Sequence, residues 1–133
     1  MPASKRSWPN GLPEQIKSLP DVPALRLTDT VRTQVSGMLA IAKDLALSGP
    51  CVFAASLFGV KGVRLDVEDG WMDPHRTLGD RGQMAVPEVW LDDLQTAVPD
   101  GVSRAILDVM WQGFGEERCE HFDLETGLFS QPR

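Results

Sequence analysis

The chain has 133 residues, enough for one domain of ordinary size whose core suffices without disulfides. Hydrophobic residues make up 42% and charged residues 24%, a globular composition that excludes disordered and fibrous classes. Lys and Arg number 13 against 19 Asp and Glu, a formal net charge of -6. No basic stripe extends beyond Lys5-Arg6, which argues against a phosphate-neutralising nucleic-acid surface.

Residues 1–23 carry Pro2, Pro9, Pro13, Pro20 and Pro23 without sustained periodicity, so they read as an irregular N-terminal arm before a single compact domain over residues 24–133. They hold no apolar stretch of signal-peptide length, which points to a cytoplasmic protein. Val31, Val35, Met38, Leu39, Ala42, Leu45 and Ala46 then recur along one side of a 3.6-residue period and predict a helix. Thr28 or Thr30 is the expected cap, Asp29 complements the amide end, and Ser48-Gly49-Pro50 is the stop.

Residues 51–58 contain no charge on either face and predict a buried strand. After turn-forming residues 59–62, Val63, Leu65 and Val67 alternate with Arg64, Asp66 and Glu68, predicting the second arm of an antiparallel hairpin with one wet face. Asp69-Gly70 signals a turn, and no period continues through Gln83. A short strand is expected at residues 84–86. Pro87 then suits the first turn of a helix carrying Val89, Trp90, Leu91, Leu94 and Ala97.

Another helix is expected from about Asp100, with Val102, Ala105, Ile106, Val109 and Met110 as its apolar stripe and Asp100 or Ser103 as its cap. Trp90 and Trp111 fall on these helices as core residues. A terminal hairpin over residues 119–129 completes the pattern. The fold class is α+β, a small antiparallel sheet packed against about three helices. No segment is long and apolar enough to span a membrane.

The cysteines, Cys51 and Cys119, are expected as free thiols in a reducing compartment. Cys119 and His121 share a face if the segment is extended, but surrounding acidic residues disfavour a thiolate. No phosphate-loop, dinucleotide or zinc-protease motif occurs, and no cofactor, metal ligand set or catalytic residue is assigned.

The polar run at residues 66–81 is the feature with the least structural explanation. Asp66, Glu68, Asp69 and Asp73 concentrate negative charge, Trp71 offers a large ring for burial by a partner, and His75, Arg76 and Arg81 add polar contacts. These eight residues are the candidate partner-binding set. They point to a noncatalytic interaction or regulatory module whose acidic surface recognises a protein with a basic surface. The alternative is a small metal-dependent hydrolase using the same acidic loop, with the carboxylates holding a hard cation.

Overall fold

The computed structural model describes residues 21–66 and 82–130. Among them the elements run β1 (Asp21–Pro23), α1 (Ala24–Asp44), β2 (Cys51–Phe58), β3 (Arg64–Asp66), β4 (Gln83–Leu91) and α2 (Pro99–Gly113). The result is a small α+β domain with two helices and two short sheets, one parallel and one antiparallel.

The apolar period of α1 begins earlier than expected. Ala24, Leu27 and Thr28 are buried along with Val35, Leu39 and Ala42, so the first turn belongs to the core. Pro23 occupies the N-cap position with no side-chain cap. Neither threonine caps the helix: Thr28 is fully buried, and Thr30 Oγ1 donates to the Arg26 carbonyl one turn back, at 2.8 Å. Both helices end alike. In α1 Leu47 N–H donates to Ala42 O and Ala46 N–H to Lys43 O, with Ala46 at φ 57°. In α2 Glu116 N–H donates to Trp111 O and Gly115 N–H to Gln112 O, with Gly115 at φ 92°. Each is a Schellman closure needing one left-handed residue.

The expected β2–β3 hairpin does not form. β3 lies parallel to β1, with Val22 opposite Leu65 and Arg64 Nε 3.2 Å from Asp21 Oδ1. β2 pairs instead with β4, antiparallel, from Cys51 opposite Leu91 to Phe58 opposite Gln83. A local hairpin competes with partners that bury more side chain, and beside β1 Leu65 is buried as part of the main core.

The expected helix at Pro87 is also overturned, and β4 continues through it. Phe53 faces Val89 whereas Ala55 faces Val86, so Pro87 and Glu88 together oppose Ala54. This is a β-bulge, a place where a residue lacking an N–H costs the ladder little. The bulge shifts the inward set from residues 84 and 86 to residues 89 and 91. Trp90 consequently points outward at 68% exposure, in contrast to its expected core position.

The core contains Trp111, Phe114, Phe122, Leu39 and Leu107, all nearly or fully buried. α2 is central to it, packing against both α1 and β4. The C-terminal residues return across these helices, where Phe122 and Phe129 form an isolated antiparallel bridge of the expected terminal hairpin. No helix among the described residues is long and apolar enough to cross a membrane.

Candidate functional site

The structure describes Asp66 from the candidate set. It closes β3, half-buried, opposite Pro23 of β1. Glu68, Asp69, Trp71, Asp73, His75, Arg76 and Arg81 lie outside the described residues. Among the described residues, no group of three His, Cys, Asp or Glu side chains is placed to hold a metal ion. The described residues on either side of positions 67–81 lie at different sheets. Asp66 belongs to the parallel pair, while Gly82 O accepts from the N–H groups of Gly59 (2.7 Å) and Val60 (3.3 Å) where β2 ends.

The second constellation read from sequence, Cys119 and His121, is brought together in the interior rather than in a cleft. Thr28 of α1 joins them: its Oγ1 lies 2.7 Å from His121 Nδ1 and 3.7 Å from Cys119 Sγ. The imidazole meets Trp111 edge-on at 5.4 Å between ring centres and Phe129 at 6.5 Å. Asp108 Oδ1 accepts the Cys119 N–H at 2.9 Å, fixing the chain as it leaves α2.

Burial pushes the Cys119 thiol above its ordinary value. Backbone hydrogen bonding near His121 and the Thr28 hydroxyl oppose that shift, while the Asp108 charge adds to it. A neutral, sealed thiol is a poor nucleophile. The arrangement therefore supports packing: Thr28 gives the imidazole a polar partner within an aromatic surround. The local sequence offers Thr28 as a helix cap, and no local pattern connects it to a residue 93 positions away.

A third cluster had no sequence signal. Arg32 of α1 donates through Nε and Nη2 to Asp100 Oδ1 at 3.3 and 3.2 Å, and Asp100 Oδ2 accepts the Phe129 N–H at 2.9 Å. The Arg32 guanidinium also sits 3.9 Å over the Phe129 ring. Asp100 thus links the N-terminal end of α2, the middle of α1 and the C-terminal hairpin. The helix-cap role expected of it is unused.

At the hairpin tip Asp123 Oδ1 accepts from the Glu125 and Thr126 N–H groups at 2.8 and 2.9 Å. These hydrogen bonds hold its carboxyl below the ordinary carboxylate value. The carboxylate is committed to closing a turn. No protein-family model, curated protein or solved structure matches this chain.

Proposed function

We propose that this chain is a noncatalytic protein-interaction module, with residues 66–81 supplying an acidic recognition surface for a basic partner. The proposal is supported by the acidic excess of the chain, and the interior commitment of Cys119 and His121 speaks against one nucleophilic alternative. The pair that sequence offered for nucleophilic chemistry is enclosed by Thr28, Trp111 and Phe129. The formal charge of -6 and the acidic residues beginning at Asp66 favour encounter with a basic surface.

The test is titration of a partner, purified after affinity capture, with the wild type and a variant combining Asp66→Asn, Glu68→Gln, Asp69→Asn and Asp73→Asn. Affinity is expected to fall by about tenfold or more, and wild-type affinity to weaken steeply with added salt. Equal affinity of the two proteins at low salt overturns the acidic-surface proposal.

A further inference from the structure

β2 pairs with β4 along one edge, and its other edge has no partner strand among the described residues. α2 packs against α1 and β4, whereas β2 is joined to the rest of the fold chiefly through β4. The overhang leaves a cleft of about 260 Å³ between residues 53–57 of β2 and the α1 side chains Leu27, Val31 and Met38, with Ile106 and Met110 of α2 completing it. None of the lining residues is charged.

That neutrality comes from the sequence itself. The two longest uncharged stretches of the chain, residues 45–60 and 33–42, supply β2 and the facing part of α1. Absence of charge predicts a β2 buried on both faces, yet its residues alternate between half-buried and exposed. Met38 is 54% exposed and Val52 44% exposed beside the cleft. Solvent-facing sheet edges are commonly guarded by charge, proline or a bulge. β4 has all three, in Pro87, Glu88 and its irregular register, while β2 has none of them.

The strand that best suits this edge is extended and uncharged, since the cleft beside it offers no charged partner. Residues 1–20 are interrupted by Pro2, Pro9, Pro13 and Pro20, and residues 67–81 carry Glu68, Asp69, Asp73, Arg76, Asp80 and Arg81. Of the strands described, β1, β3 and β4 each contain a charged residue. β2 is uncharged throughout, so it is its own best match.

We propose that the free edge of β2 binds a second copy of this chain, the two β2 strands pairing antiparallel about a two-fold axis. The product is a four-stranded sheet ordered β4–β2–β2–β4. An axis at Ala54 places Phe53 opposite Ala55 of the other copy and Cys51 opposite its Leu57. Directly opposed residues of an antiparallel pair share a face, so the half-buried residues of both copies stay on the helix side. A two-fold contact also brings the uncharged edge against itself, avoiding like-charge contacts despite the net charge of -6.

This proposal does not rest on the acidic-surface reading, and its readout is mass rather than partner affinity. Sedimentation velocity on the full chain from roughly 1 to 100 µM is expected to show a concentration-dependent monomer–dimer equilibrium. Ser56→Lys and Met38→Lys, each at an exposed position lining the cleft, should weaken dimerisation by about tenfold or more while preserving the far-ultraviolet spectrum. Leu124→Ser, in the exposed C-terminal turn, should leave dimerisation unchanged. A wild type that remains monomeric throughout overturns the proposal, including the case where another stretch of the same chain covers the cleft. A dimer equally strong in both lysine variants also overturns it.

Discussion

Cys119 is where composition and environment part most clearly. Its neighbours in sequence, Glu117, Arg118 and Glu120, place it in a charged stretch, but its side chain is fully buried beside Thr28 and its N–H is held by Asp108. Its folded pKa lies above the ordinary value of 9.0, so the native state retains the thiol proton after the unfolded chain begins to lose it. Folding stability contributed this way is fully present below pH 9.0 and is lost as pH rises from there through the folded value. Urea unfolding measured across alkaline pH should therefore show stability falling more steeply in the wild type than in Cys119→Ala, whatever their difference at neutral pH. Equal slopes would refute the coupling. A thiol reagent should label half-buried Cys51 in the native protein and reach Cys119 upon unfolding.

At the scale of elements, the matched helix ends of α1 and α2 offer an internal comparison. α2 uses Gly115 where its closure needs a left-handed residue, while α1 uses Ala46 at φ 57°, a conformation costing an L-residue about 1–2 kcal/mol. Ala46→Gly relieves this strain but increases the freedom of the unfolded chain. A net gain of roughly 0.5–1 kcal/mol is expected. Chemical denaturation measures it directly, and a loss of stability would show that the methyl group contributes packing greater than the strain. Sequence made α1 and α2 legible because their apolar residues recur at helical spacing, and β2 because eight residues carry no charge, although that absence pointed to burial on both faces and β2 alternates between half-buried and exposed. It misassigned β4 because Pro87 suits a first helical turn as well as a bulge, and because Trp90, Leu91, Leu94 and Ala97 stand at helical spacings although the strand ends at Leu91 and Trp90 faces solvent. β1 and the parallel pairing were not legible: three residues carry no measurable period, and their partner lies 43 positions onward. Of the candidate partner-binding set only Asp66 lies among the described residues, and the Cys119–His121 pair, expected on one face of an extended segment, meets instead within a turn. Their interior direction depends on Thr28 and Trp111, which reach them from separate helices.

Across the whole molecule, the C-terminal segment is joined to the helical core by several kinds of contact. His121 meets Thr28 and Trp111, Asp100 holds the Phe129 N–H, and Arg32 covers the Phe129 ring. Phe122, 1% exposed, adds apolar burial and an edge-on contact with Phe129 at 6.2 Å between ring centres. Its own hydrogen bonds close one isolated bridge and the turn at Asp123, among them Asp123 N–H to Leu128 O, too small a hairpin to stand alone, so its order derives largely from the helices. It should open with the global unfolding of the core rather than fray first. Native-state hydrogen exchange can follow the Cys119 N–H bonded to Asp108 and the Ser130 N–H bonded to His121 O at 2.7 Å, alongside amides inside α2. These groups are expected to share one opening free energy, and Phe122→Ala should lower it by about 3–5 kcal/mol at all of them. If the loss were confined to Cys119 and Ser130 while α2 retained its protection, the C-terminal segment would be a separate, weaker cooperative unit. Its contacts with Thr28, Arg32 and Asp100 would then be too weak to couple it to the core.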